Sequence, residues 1–220
     1  MSKTSWVASG SSEVVSGKTD LALGWIKRNR ETFIGSAAML LAVALFAVYF
    51  FMHYRDLGDA AWKNLFIAQQ MGYGGDTTRA QDQLSAIEAS FAGTSAAPYA
   101  VMTKGDMLFA QGKYAEAGTE YSKILSSKDL APFAIYSLGK CKEAAGDMAG
   151  AQAQYADFLS KNPEHFMAPE VRASLARAQE LSGNKDLAKT TYEKIVLLYP
   201  GTSWAARAQA KLEGKSNKGV

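Results

Sequence analysis

The chain has 220 residues, enough for one domain of ordinary size plus an accessory segment. Its 24 Lys and Arg against 21 Asp and Glu leave a net charge of +3, which is too small to indicate a nucleic-acid partner. The single cysteine, Cys141, excludes an internal disulfide and a thiolate metal site, and the scarcity of proline favours helix.

The first 17 residues are Ser-rich and aperiodic, and segment 1–32 is expected to be a largely disordered cytoplasmic tail. Within it Leu21 to Arg30 carries Trp25 and Ile26, side chains suited to the inner membrane face. From Phe33 to Met52 there are 20 residues without a charge, which as a helix cross about 30 Å of hydrocarbon. His53-Tyr54-Arg55 follows, in place of a small-x-small cleavage site, so 33–53 is expected to be an uncleaved transmembrane helix. Lys18, Lys27, Arg28 and Arg30 precede it and only Arg55 and Lys63 follow closely, a bias that predicts a cytoplasmic N-terminus and an extracytoplasmic remainder.

Beyond the span the sequence repeats. Gly75, Gly112, Gly146 and Gly183 stand at spacings of 37, 34 and 37 residues. Five residues after each is an alanine (Ala80, Ala117, Ala151, Ala188), and nine after each is a large side chain (Leu84, Tyr121, Tyr155, Tyr192). Both fall on one helical face, where small residues allow close approach and large ones fill the gap to the next pair. Pro98, Pro132 and Pro169 each lie before such a glycine and mark first-helix starts. The predicted pairs are 57–93, 98–129, 132–162 and 169–199, with Thr202 to Glu213 as a capping helix. Phe91-Ala92-Gly93-Thr94-Ser95 recurs as Tyr199-Pro200-Gly201-Thr202-Ser203, a sign of internal duplication. The expected fold is therefore all-α: a single transmembrane helix, then an α-solenoid of about four helix pairs and a cap over 54–213, then a disordered tail over 214–220.

The 34-residue spacing, the Gly-x-Tyr-x-x-Ala turn at 112–117, the aromatics at 121, 155 and 192, and Pro163 and Pro200 closing second helices resemble tetratricopeptide repeats. With the short N-terminal segment and single anchor, the whole resembles the YfgM-type bacterial inner-membrane proteins. That resemblance implies a periplasmic, chaperone-like adaptor associated with the Sec translocon, whose partners are translocon subunits, periplasmic chaperones or exported client chains. The alternative is a structural or self-associating subunit of an envelope complex, a homo-oligomer with no client cycle.

No catalytic constellation is found: the serines lack a nucleophile-elbow context, Cys141 has no evident histidine partner, and His53 and His165 lie far apart. Neither an enzyme nor a cofactor or metal is expected. The chemistry is expected on the first helices instead. Aligning Ala68, Gly105, Gly139 and Ala176 as the small contact positions gives groove candidates by resemblance. These are Trp62, Leu65 and Gln69 in the first pair and Tyr99, Met102, Asp106 and Phe109 in the second. The third supplies Phe133, Tyr136, Lys140 and Glu143, and the last Glu170, Ala173 and Arg177. The first three sets are rich in aromatic and sulfur-containing side chains and the last is charged, so an apolar groove with a polar end is expected. For Tyr99, Phe133 and Tyr136 packing between pairs is the competing reading.

Overall fold

The structure is a computed structural model that describes residues 12–214, and every regular element in it is a helix. The terminal tails expected at 1–11 and 215–220 lie outside the described residues. Two compact units are present, one ending at Arg55 and the other starting at Asp56.

The first unit holds α1 (Ser12–Arg28) and most of the apolar stretch of α2 (Arg30–Tyr73). Part of the segment expected to be disordered is thus helical. It contains no proline, and its two glycines, Gly17 and Gly24, weaken a helix without ending it. Among the described residues α2 is the helix long and apolar enough to cross a membrane, with a mean hydropathy of 2.3 in its most apolar window and none of that window buried. α2 runs on from the apolar stretch through residues 53–57, because nothing there stops it: no proline occurs, and Gly58 alone is tolerated within a helix.

The second unit continues from α2 into α3 (Thr77–Ser90), α4 (Ala96–Ala110), α5 (Tyr114–Lys123), α6 (Ala131–Ala144), α7 (Met148–Lys161), α8 (Ala168–Leu181), α9 (Lys185–Leu198) and α10 (Ser203–Leu212). The four hairpins close at the predicted glycines, whose φ angles are +91° at Gly75, +76° at Gly112, +84° at Gly146 and +82° at Gly183. At each, two backbone bonds wrap the helix end: Gly146 N donates to Glu143 O (3.0 Å) and Asp147 N to Lys142 O (2.8 Å), and the other three turns repeat the pattern. This Schellman arrangement satisfies the last carbonyls and requires a left-handed residue, which is why glycine recurs there. Asp76 and Asp147 then cap the following helices through Arg79 N (3.3 Å) and Gly150 N (2.8 Å). First helices begin one or two residues before Pro132, Pro169 and Pro98, within the turn where proline's missing N–H costs nothing.

From α3 to α10 each helix packs against the next, and α10 also reaches α8. Ala80, Ala117, Ala151 and Ala188 are buried, as are Leu84, Tyr121, Tyr155 and Tyr192. The core is a series of apolar clusters, one between each set of neighbouring pairs, such as Tyr155, Phe158 and Val171 between α7 and α8. The duplicated segment holds at the level of hydrogen bonds: Thr94 Oγ1 donates to Phe91 O (2.8 Å) and Thr202 Oγ1 to Tyr199 O (2.7 Å).

Candidate protein-binding surface

The surface is built by the C-terminal part of α2 together with α4, α6 and α8, held in register by the small residues they share. Gly105 and Gly139 lie under the rings of Tyr121 and Tyr155. A Cβ at Gly105 would stand 2.6 Å from Tyr121 Cε1, and one at Gly139 would run into the Tyr155 ring. Each ring therefore crosses the first helix at its smallest residue and carries its hydroxyl to a carboxylate on that helix. Tyr121 donates to Asp106 (2.7 Å), Tyr155 to Glu143 (2.6 Å) and Tyr192 to Glu180 (3.0 Å). All three phenols are pushed well above their ordinary value, by burial first and then by the carboxylate each one serves. They remain neutral donors.

The predicted residues separate by exposure. Trp62 and Tyr99 are 42% and 37% exposed, their rings 5.1 Å apart, and Trp62 Nε1 donates to Ser95 Oγ (3.2 Å). Gln69 Nε2 donates to Thr103 Oγ1 (3.2 Å) beside a cavity of about 440 Å³ that Asp106 also lines. Met102, Phe109 and Phe133 are half-buried against the Tyr121 cluster and Tyr136 against the Tyr155 cluster. Leu65 is a correction: at 3% exposure it is core, enclosed with Ala68, Leu84, Ile87 and Ala100, because α3 and α4 both pack on that face of α2. Ala173 packs against the Tyr192 cluster.

The polar end is an ordered ladder. Arg177 grips Glu143 through Nε (2.9 Å) and Nη2 (3.2 Å), Lys140 stands 3.6 Å from the same carboxylate, and Trp204 Nε1 donates to Glu170 (2.9 Å). Burial would raise the Glu143 pKa, but the hydrogen bonds from Arg177 and Tyr155 and the charges of Arg177 and Lys140 outweigh it and leave the carboxyl below its usual value. Asp106 goes the other way: lost hydration raises it and the Tyr121 hydroxyl only partly offsets this. Lys211 on α10 extends the ladder by binding Glu180 at 3.0 Å. Sequence reasoning missed Glu180, although it stands three residues before its turn glycine as Glu143 does. Tyr73, 91% exposed at the rim of the 440 Å³ cavity, was also missed and carries no comparable signal.

Cys141 is buried, and loss of hydration followed by the nearby Asp106 charge pushes its thiol up to about 11, so it is a poor nucleophile at neutral pH. His165 lies edge-on to Phe133 and Phe158 and close to Phe166, and its Nδ1 accepts from Met167 N (3.2 Å). Among the described residues no group of three or more His, Cys, Asp or Glu is placed to hold a metal ion.

The tetratricopeptide repeat model matches residues 133–165 and 174–202, that is, α6 with α7 and most of α8 with α9. These two helix pairs match the tetratricopeptide repeat. No curated protein matches the chain. Among solved structures it is similar to a tetratricopeptide repeat protein from Parabacteroides merdae, at 20% identity and a TM-score of 0.60, over 72% of this chain and 60% of that one. It is also similar to the repeats of a Podosopora anserina kinesin light chain (15% identity, TM-score 0.57, over 72% and 86%) and to MamA (16%, 0.54, over 72% and 85%). At these identities the likeness is one of fold. Arrays of this repeat typically serve as non-catalytic interaction scaffolds, and no enzyme family is indicated.

Proposed function

We propose that the protein is a membrane-anchored scaffold whose repeat unit binds segments of other proteins on the extracytoplasmic side of a bacterial inner membrane, as a chaperone-like adaptor beside the Sec translocon. The observation that carries the binding reading is the surface on the first helices. There the Trp62–Tyr99 pair and the cavity beside Gln69 and Asp106 present apolar area next to fixed polar groups. The anchor reading is supported by the unburied apolar window of α2, and the orientation by the lysines and arginines on its N-terminal side. The translocon association follows from the resemblance to YfgM-type proteins. An anchor raises the local concentration of two membrane-bound partners, so modest contacts suffice.

The test is photocrosslinking in intact bacterial membranes from a reactive residue at Tyr99. Capture of translocon subunits, periplasmic chaperones or varied exported chains supports the adaptor. Adducts to a second copy alone assign the surface to self-association and overturn it. A reporter fused after Val220 reads the side of the membrane.

A further inference from the structure

From Tyr54 onward Lys and Arg number 19 and Asp and Glu 18, so the repeat unit is nearly neutral as a whole. The charge is not evenly spread. Two adjoining cavities, of about 230 and 170 Å³, lie where α8, α9 and α10 meet, and they share Tyr192 and Lys211 as a common wall. Five cations line them: Lys185, Lys189 and Lys211 on one side, Arg177, Arg207 and again Lys211 on the other. Only two carboxylates face them. Glu180 is already held by Lys211 (3.0 Å) and the Tyr192 hydroxyl (3.0 Å), and Glu170 accepts from Trp204 (2.9 Å).

Among the described residues Lys185, Lys189 and Arg207 form no ion pair, and the one polar contact of Arg207 is with Ser203 Oγ at 3.3 Å. Arg177 is held by Glu143 and Lys211 by Glu180, so three cations around the concave walls are left without an ion pair and focus a positive potential there, which raises the local concentration of anionic groups. The floors are apolar and small, formed by Ala188 and Leu212 in one cavity and Ala173, Ile195 and Ala208 in the other. Each volume accommodates a side chain and not a folded element.

We propose that these twin cavities are a docking site for an acidic peptide segment of a partner protein, which places one carboxylate side chain in each cavity. The proposal rests on the reading of the repeat unit as an interaction scaffold and names the chemistry recognised at its C-terminal end. Lys189 and Arg207 supply the charges not satisfied within the chain. Lys211, fixed by Glu180, separates the two carboxylates. The apolar floors take the methylenes of the bound side chains, and the register of the peptide follows from the spacing of the cavities.

The full chain in zwitterionic nanodiscs is titrated with a fluorescent peptide carrying paired glutamates between leucines, and with the same peptide carrying lysines. The acidic peptide is expected to bind, the lysine peptide not. Raising salt from about 50 to about 200 mM is expected to weaken binding. Charge reversal in Lys189→Glu/Arg207→Glu is expected to weaken it on the order of tenfold, and Lys189→Arg/Arg207→Lys to retain it. Both side chains are exposed, and continued protection of Cys141 from alkylation shows that each variant is folded. Equal binding of the two peptides, no binding by the unsubstituted chain, or unchanged affinity after charge reversal overturns the proposal. So does reversal that removes only association with phosphatidylglycerol vesicles, which would assign the cations to a lipid surface. Crosslinking from Tyr99 in the charge-reversed chain separates the two readings: partners still captured there leave the scaffold standing if the acidic site fails.

Discussion

The contact between a glycine and a tyrosine ring sets the spacing of the repeats. Gly139→Ala places a methyl group against the Tyr155 ring, and the interior on either side is close-packed, so the ring or a helix must shift. A loss of about 1–3 kcal/mol is expected, read as a lower urea midpoint. The same substitution at exposed Gly93, whose Cβ would meet nothing, is expected to leave the midpoint almost unchanged. Glu143 gives a pH signature. Its carboxyl titrates lower in the folded chain than its ordinary 4.5, so the stability it contributes is present above that value and is lost as pH falls through the lower folded value. Glu143→Gln removes this contribution, so its melting temperature is expected to lie below that of the parent chain at pH 7 and to approach it on acidification below pH 4.5. Thermal melts at both pH values check this.

Among the elements, α10 shields the end of the array. Trp204 packs on the cluster of Ile195, Ala176 and Ala208 and reaches back to Glu170 across 34 positions of sequence. Trp204→Ala is expected to cost about 2 kcal/mol from apolar area alone and to raise hydrogen exchange in α8 and α9 before α4 and α5, since coupling in such arrays passes between neighbours.

The hairpins and the cap were legible in the sequence because a left-handed turn has few solutions and glycine marks each one. The alanine and aromatic positions were legible because they mesh at fixed offsets from that turn. Leu65 was misread for a related reason. Its offset from Ala68 fits a groove position, but which face of α2 is open depends on α3 and α4, whose packing no spacing within α2 encodes. In the candidate site, the Glu143–Arg177 ladder emerged from positions chosen one by one, whereas its extension to Glu180 and Lys211 needed the cap in place.

For the whole molecule, the unburied apolar window of α2 makes the proposed membrane attachment testable. Phe33, Leu40, Leu41, Leu45 and Phe46 have no protein to cover them, an arrangement that water disfavours and lipid does not. The chain is expected to stay in the pellet when membranes are washed with alkaline carbonate. Leu41→Arg with Leu45→Arg is expected to shift it to the supernatant, since each charge at mid-helix costs about 3 kcal/mol. Immunoblots of the two fractions read the result.

The pattern in which each helix meets its successor and, through side chains such as Trp62 with Tyr99 and Glu143 with Arg177, the helix two places on, also bears on how the array is made. Partners close in sequence need no wide loops to be closed before they touch, and topologies of that kind fold quickly. Each hairpin finds its neighbour within one or two helices of emerging from the ribosome or a translocation pore. The array can therefore assemble vectorially from its N-terminal side, and the last apolar face stays open until α10 arrives. A nascent chain halted before Ser203 would still carry that open face, so the arrival of α10 is the step that ends its exposure.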